Sequence, residues 1–297
     1  MNVRSKGEKW LEVAAHIVMI IFCILAVMPF ILLVMASFTE ESTAIRDGYQ
    51  FIPKVFSTEA YRYILAEWGQ IGRAYLVTII VTVCGTFVSV LITTMFAFGL
   101  TQKDVPGVKV VFMLLLFTML FNGGLVSTYY IYSNVIHIKN TIFALIVPSY
   151  LMGAFNVILV KNYVANNIPG ELLEAAEMDG AGPIYSFFKI VIPLSTPILA
   201  TIGLMGAVMY WNDWNNGLYY ITDPKLYSIQ QLLNQMNNNV QYLVNNAQNL
   251  SGMDLSNLPS TTIRMAIAVV AIIPILCAYP FFQKYFAKGI TVGAVKG

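Results

Sequence analysis

Charged side chains are scarce in this sequence. Only 11% of its 297 residues are Asp, Glu, Lys or Arg, against about 25% in an average soluble domain. Apolar residues make up 58% of the chain, and they gather into runs close to the roughly 20 residues that cross the hydrocarbon core of a bilayer. So few charges cannot cover a water-soluble surface. The sequence therefore predicts an all-α integral membrane protein, and its net charge of +2 gives no indication of a nucleic-acid partner.

Groups that carry catalysis or bind metals are also few. The cysteines Cys23, Cys84 and Cys277 lie inside apolar runs without a CxxC spacing, and His16 and His137 have no clustered Cys, Asp or Glu partners. A metal site is therefore not expected. Neither a GxSxG nor an HExxH pattern occurs, so we expect no catalytic centre. A GxxxxGK[ST] loop is also absent, so this chain is not expected to hold ATP phosphates.

Six apolar segments are long enough to span a bilayer. Helices are the expected form, because lipid offers the backbone no hydrogen-bond partner. Pro29, Pro148 and Pro274 lie within or near these segments, where neighbouring helices must satisfy the carbonyls that proline leaves unpaired. The first segment is too long for a secretory signal, so we expect it to be retained. The segments are 13–37, 74–100, 108–131, 141–160, 197–219 and 263–282.

The distribution of Lys and Arg predicts the orientation of the chain in the membrane. With the N-terminus inside, ten of the 17 Lys and Arg residues fall in cytoplasmic segments and the other seven outside. The outer side then has the longer loops, Thr39–Arg73 and Leu218–Thr262. The chain is expected to lie in the cytoplasmic (inner) membrane of a prokaryote, with both termini in the cytoplasm. The amide-rich second outer loop is either a solvated loop or a surface that meets an external partner or a sugar.

One polar segment, Asn166–Thr196, is predicted to lie on the cytoplasmic side between the fourth and fifth spans. Pro169 suits a helix start, and the three glutamates that follow suit the positive end of the helix macrodipole. Gly180 begins a Gly-Ala-Gly-Pro turn that is expected to end this helix. A second apolar piece then runs to Pro193. The pattern predicts a helix, a turn and a second helix.

This segment resembles the EAA loop of the permease subunits of ATP-binding cassette (ABC) importers. The resemblance implies the type I importer fold, in which the loop forms a cytoplasmic coupling helix docked into a separate ATPase dimer. That dimer would bind ATP and Mg²⁺. Ile192 stands where the family usually has leucine. The residues expected to couple to the ATPase are Glu174, Ala175, Ala176, Asp179, Gly180, Ile190, Ile192 and Pro193.

The C-terminal residues carry a second resemblance. Their pattern QKYF-x-KG-x-T-x-GA-x-KG is similar to the carbohydrate-uptake branch related to maltose permeases, and most similar to polysaccharide-derived and aldouronate-type permeases. The resemblance implies that Lys288, Gly289, Gly293 and Lys296 contact the ATPase. The alternative is a basic tail whose lysines reach the membrane surface, which would explain the lysines but not the repeated glycines.

A third resemblance lies in the fifth apolar segment. Trp211, Asn212, Asp213 and Trp214 are similar to the W-N-x-aromatic stretch of sugar-importer permeases. Asp213 is an ionisable residue within or beside a span, which makes it a candidate for the translocation pathway. The aromatic rings could stack on sugar rings. The alternative is an aromatic belt at the membrane interface.

Together these features predict a permease subunit of an ABC importer for an oligosaccharide, with polysaccharide-derived and uronate-containing sugars as candidates. The expected domains are 1–73 with the first helix and outer loop, a core of 74–286, and a tail of 287–297. The expected partners are a second homologous permease, an ATPase dimer, membrane lipid and an extracytoplasmic solute-binding protein. An ion-coupled secondary transporter is the alternative, but it would place ionisable residues near the bilayer midplane, and this sequence has almost none. A membrane enzyme would require clustered acids or histidines.

Overall fold

The computed structural model describes residues 6–102, 104–246 and 261–294. In these ranges the chain is helical, as predicted, apart from connecting loops and one isolated antiparallel bridge between Thr39 and Phe56. The helices of the first half are α1 (Lys6–Ser37), α2 (Glu41–Asp47), α3 (Glu59–Ala66), α4 (Trp68–Gly99), α5 (Val108–Leu120), α6 (Gly124–Tyr130) and α7 (Phe143–Ile146). Those of the second half are α8 (Ala154–Asn167), α9 (Gly170–Met178), α10 (Pro183–Ser186), α11 (Ile192–Leu194), α12 (Thr196–Trp211), α13 (Asn215–Tyr220), α14 (Ile229–Asn246) and α15 (Thr261–Ala294).

Among the residues that the structure describes, two helices are long and apolar enough to cross a membrane by themselves. They are Trp10–Ser37 within α1, and α4. Pro183–Leu194 and Thr196–Trp211 pass the same test together, with a bend of 82° between them, and would make a third span. α5 and Thr261–Cys277 are shorter apolar helices. The prediction of several apolar helices is confirmed for the described part of the chain.

Three of the six predicted spans are interrupted in the structure and are not single helices. The third breaks after α5, where the Asn122 side chain accepts a hydrogen bond from the Gly124 amide at 2.9 Å and Gly124 has φ +78°. The fourth stops before Pro148, which cannot continue a helix. The fifth divides between α12 and α13 at Asp213, whose carboxylate binds the first amides of α13.

The carbonyls left unpaired near Pro148 are bound by side chains from neighbouring helices, as the sequence led us to expect. The Tyr210 hydroxyl at the end of α12 donates to the Ile146 carbonyl at 2.9 Å. The Asn216 side-chain amide in α13 donates to the Pro148 carbonyl at 3.0 Å. In lipid such carbonyls have no water to bind. These two contacts therefore satisfy carbonyls that the broken helix leaves unpaired.

The chain divides into two compact units. The first comprises Met1–Gly69 and Gln235–Ile273, and the second comprises Gln70–Asn234 and Pro274–Gly297. In the first unit Glu41, at the start of α2, binds the N-terminus of α15. Its carboxylate accepts hydrogen bonds from the Thr261 and Thr262 amides at 2.8 and 2.9 Å. Those amides have no partner within their own helix, so a carboxylate is a favourable cap.

The second unit contains a hydrophobic cluster formed by α4, α8, the π-helical turn Phe187–Val191 and α12. In this cluster Val157, Val160 and Val191 have no exposed surface. Close packing of α4 and α12 depends on Gly85, where an added Cβ would lie 2.7 Å from the buried ring of Tyr210. The cluster matters for function because it holds one arm of the polar segment that resembles the EAA loop.

Candidate functional site

The polar segment 166–196 forms a helical hairpin, as predicted, which we call the α9–α11 hairpin (residues 170–194). Its first arm is α9, preceded by Pro169 in an extended conformation. Residues 179–182 form the turn, and the second arm runs through α10, a π-helical turn and α11. A helix of nine residues is marginally stable alone. Its ends must therefore be fixed by capping or by packing.

The turn after α9 is a Schellman motif, and it explains the spacing of the EAA pattern. The Ala181 amide donates to the Ala176 carbonyl at 2.9 Å, and the Gly180 amide donates to the Glu177 carbonyl at 2.9 Å. Gly180 has φ +85°, the left-handed conformation that this motif requires and that glycine adopts without strain. A spacing of three residues between Ala176 and Gly180 therefore places the glycine where the Schellman motif needs it to end α9.

The exposed surface of the hairpin combines acidic and apolar side chains. No residue of α9 is buried. Four acids and no Lys or Arg occur between residues 170 and 182, giving a local charge of −4. Around them lie large apolar side chains, with Met178 89% and Ile184 74% exposed. Exposed apolar side chains beside charges of one sign are typical of a protein docking surface.

The second arm fixes the hairpin to the body of the second unit. Phe187 and Val191 are buried in the hydrophobic cluster, and the Phe187 ring lies 5.9 Å from that of Phe98 in α4. Burying each of these side chains stabilises the fold by about 1.5–3 kcal/mol. Ile192 packs against the same cluster, while Pro193 is exposed beside the 82° bend into α12. A displacement of the hairpin would thus be transmitted directly to α4 and α12.

The structure brings the eight residues predicted to couple to the ATPase into this one hairpin. Glu174, Ala175 and Asp179 are exposed, and Ala176 is half-buried. Of the residues predicted to contact the ATPase through the tail, Lys288, Gly289 and Gly293 belong to α15. Lys296 lies outside the described residues.

The four residues of the Trp-Asn-Asp-Trp stretch do not share one surface. Asp213 is buried, and one carboxylate oxygen accepts hydrogen bonds from the amides of Asn215 and Asn216 at 3.0 and 3.1 Å. The Tyr150 hydroxyl donates to the same oxygen at 3.3 Å. Asn212 and Trp214 are exposed, whereas Trp211 is 7% exposed. Asp213 thus joins α13 to the broken fourth segment, and Asn212 and Trp214 are the two exposed members of the stretch. The pathway role of these four residues stays a prediction.

Substitutions of Asp213 can distinguish a structural role in capping α13 from a role of its charge in the translocation pathway. We expect Asp213→Asn to assemble and transport at more than about half the wild-type rate, because the amide oxygen can accept the same backbone hydrogen bonds. Asp213→Ala is expected to lower stability by about 0.5–2 kcal/mol, the usual loss for a helix cap. Thermal unfolding in detergent and uptake in proteoliposomes measure the two effects. Equal loss of uptake in both variants with unchanged stability would instead place the Asp213 charge in the pathway.

A groove of about 870 Å³ lies between α4, α12 and residues of α15 in the second unit. Its walls are almost entirely apolar, and they include Phe87, Val208, Trp211 and Ile275. A sugar in such a groove would lose hydrogen bonds to water without replacing them, at a cost of about 1–3 kcal/mol for each hydroxyl. The groove is therefore unsuited to an oligosaccharide, although Trp211 lines it.

Comparison with known proteins identifies the class. Residues 105–292 match the family described as the binding-protein-dependent transport system inner membrane component. The chain belongs to this family. It is a multi-pass permease component of an ABC importer, not the catalytic subunit, and the family works with a binding protein and an ATPase.

Similar proteins include two from Bacillus subtilis strain 168. The chain is 39% identical over 285 residues to the polygalacturonan/rhamnogalacturonan transport system permease protein YtcP, covering 94% of this chain and 96% of the relative. It is 34% identical to protein LplC over 92% of this chain and 90% of that one. A solved bacterial ABC transporter involved in import of the acidic polysaccharide alginate has a chain 26% identical, with a TM-score of 0.79, covering 96% of this chain and 100% of that chain.

The sequence reasoning missed one polar residue with few partners. Arg264 is the only charged residue of the last predicted span, 263–282. A lone cation inside an apolar segment is itself a signal of function, because its burial in a membrane is costly.

Proposed function

We propose that this chain is the permease subunit through which an ABC importer moves an oligosaccharide across the cytoplasmic membrane. The observation that carries the proposal is the α9–α11 hairpin, which is acidic and apolar on its exposed arm and anchored in the core on its other arm. An ATPase subunit can move the permease only if it binds a surface that is rigidly connected to the long apolar helices. The hairpin has both properties.

The coupling step follows from the charges and packing of the hairpin. A basic residue in a groove of the ATPase would attract Glu174 and its neighbours, and the exposed Met178 and Ile184 would fill apolar parts of that groove. When ATP binding closes the ATPase dimer, the groove and the hairpin move together. Phe187 and Val191 would pass this displacement to α4 and α12. Lys288, Gly289, Gly293 and Lys296 would provide a second contact with the same ATPase.

The orientation required by this mechanism is the one that the Lys and Arg distribution favours. The hairpin and both termini lie in the cytoplasm, and the chain is a multi-pass component of the inner membrane of a prokaryote. A second homologous permease completes the channel, and membrane lipid surrounds the pair.

On the outer side the amide-rich helix α14 is our candidate for contact with the solute-binding protein and the sugar. Asn237, Asn238 and Asn239 are exposed on it, while Met236 is buried. Amides offer both donors and acceptors to hydroxyl groups. The rest of this loop, 247–260, lies outside the described residues.

The substrate class is proposed from the relatives. Those named for a substrate include permeases for polygalacturonan/rhamnogalacturonan, for arabinooligosaccharides, and for melibiose, raffinose and stachyose. The solved transporter imports alginate, an acidic polysaccharide. We propose for this chain a polysaccharide-derived oligosaccharide, with uronate-containing chains as the first candidates.

Reconstitution tests the proposal against the ion-coupled alternative. Proteoliposomes that contain this chain, its partner permease and the ATPase are supplied with the binding protein and oligogalacturonate. The proposal expects uptake that requires ATP and the binding protein and is unaffected by collapsing sodium and proton gradients. Uptake driven by an ion gradient through this chain alone would instead support a secondary transporter.

A further inference from the structure

Arg264 has an unusual environment in the first compact unit. It lies in the first turn of α15, and its Nη1 donates to the Asn237 side-chain oxygen of α14 at 2.8 Å. Its Nε is buried and has no acceptor among the described residues. Within the same part of the chain no carboxylate forms an ion pair with it. A charged donor left buried without an acceptor is destabilising, so it indicates a partner supplied from elsewhere.

The single contact of Arg264 leaves a particular edge of the guanidinium free. Asn237 occupies Nη1, so Nε and Nη2 remain as two parallel donors. That edge matches the two oxygens of a carboxylate and forms paired, charge-assisted hydrogen bonds with it. A neutral hydroxyl can use only one of the two donors. The free edge is therefore selective for a planar anion over an uncharged sugar.

The neighbouring carboxylate of Glu41 is already occupied. Both its oxygens accept hydrogen bonds from the start of α15, including one from the Thr262 hydroxyl at 2.5 Å. Exposed amides lie next to Arg264, since Asn237 and Asn238 face outward from α14. The guanidinium thus sits at the predicted outer end of a span, beside the surface that we assign to sugar contact.

We propose that Arg264 binds the carboxylate of a uronate residue as the sugar passes from the binding protein into the membrane. This inference rests on the proposed function. Asn237 orients the guanidinium by holding Nη1, and a small movement of the Arg264 side chain, whose Nε is buried in this conformation, lets the uronate supply acceptors to Nε and Nη2. No covalent step is involved. Arg264 thereby makes the permease itself, and not only the binding protein, selective for acidic oligosaccharides.

The test compares acidic and uncharged forms of the same sugar. The complete importer is reconstituted with wild-type chain, Arg264→Gln or Arg264→Lys, and uptake is measured for oligogalacturonate and for its methyl ester. We expect Arg264→Gln to lower the ratio of acidic to ester uptake by at least about tenfold, as expected for loss of charge-assisted hydrogen bonds. Arg264→Lys keeps the positive charge but loses the paired donors of the guanidinium. Its uptake ratio is therefore expected to lie between those of wild type and Arg264→Gln.

Arg46→Gln is the matched control. Arg46 is also in the first unit and on the predicted outer side, but its side chain is 74% exposed and it pairs with Asp47. Its substitution is expected to leave the uptake ratio unchanged. An Arg264→Gln variant that loses acidic and ester uptake equally would show a structural role and overturn the inference, as would an unchanged ratio.

The two proposals fail in different ways. Wild-type importer that takes up only the uncharged sugars with ATP would overturn the role of Arg264 and leave the importer assignment intact. Absence of ATP-driven uptake for every oligosaccharide would overturn the proposed function itself, and the role of Arg264 with it.

Discussion

Replacing Gly180 with valine is expected to reduce ATP-driven uptake by more than about tenfold and to release the ATPase from the permease during copurification. Gly180 has φ +85° and closes α9 through the Schellman motif. In this conformation a side chain costs roughly 1–2 kcal/mol, and a β-branched one is a still worse fit. That strain falls on a helix of nine residues with no buried side chain. The end of α9 should therefore open, and the docking surface should lose its shape.

Gly107 provides a closely matched control. It also has φ +85°, it is exposed, and an added Cβ there would meet nothing within 4 Å, as at Gly180. It precedes α5 and lies outside the hairpin. Gly107→Val should thus carry the same backbone strain while leaving the ATPase bound and uptake largely intact. If both variants transport equally, or if Gly180→Val keeps the ATPase, the hairpin is not the coupling element.

Gly85→Ala is expected to destabilise the chain by about 1–3 kcal/mol, the usual effect of overpacking a tight core. The added methyl group would lie 2.7–2.9 Å from three carbons of the Tyr210 ring. That ring is 2% exposed, and its hydroxyl is held by the Ile146 carbonyl. It therefore has little freedom to move aside. We expect a lower melting temperature and less folded protein after size-exclusion chromatography in detergent.

Gly69→Ala controls for the general effect of the substitution. Gly69 is in the same helix, and a Cβ there would meet nothing within 4 Å. Alanine favours a helix interior over glycine by about 1 kcal/mol, and by less at the second residue of a helix, so this variant should be at least as stable as wild type. A Gly85→Ala variant with the same stability as Gly69→Ala would mean that α4 and α12 do not pack as described.

The hairpin could be predicted from the sequence because its determinants are local. Pro169, the early glutamates and Gly180 each act within a few residues, through capping, macrodipole and backbone conformation. The same local rules place the turn and the second arm. Anchoring by Phe187 and Val191 could not be predicted in this way, because it depends on contacts with α4 and α8, which are distant in sequence.

The broken spans show where hydropathy ceases to be informative. Segments 108–131, 141–160 and 197–219 are apolar enough for continuous helices, yet each is interrupted. The interruption near Pro148 is stabilised by tertiary hydrogen bonds, such as that from the Asn216 amide to the Pro148 carbonyl. Hydrophobic periodicity within one segment cannot reveal that Pro148 will find a hydrogen-bond partner 68 residues away. Asp213 caps α13 through the nearby amides of Asn215 and Asn216, and its place in the translocation pathway stays a prediction.

A photo-crosslinking side chain at position 178 tests the central claim most directly. Met178 ends α9 and is 89% exposed, so a probe there should not disturb the fold. Irradiation of the assembled importer in intact membranes is predicted to join the chain to the ATPase subunit. Products with the solute-binding protein, or labelling of position 178 by a reagent that cannot cross the membrane, would contradict the account, because the hairpin would then lie on the outer side.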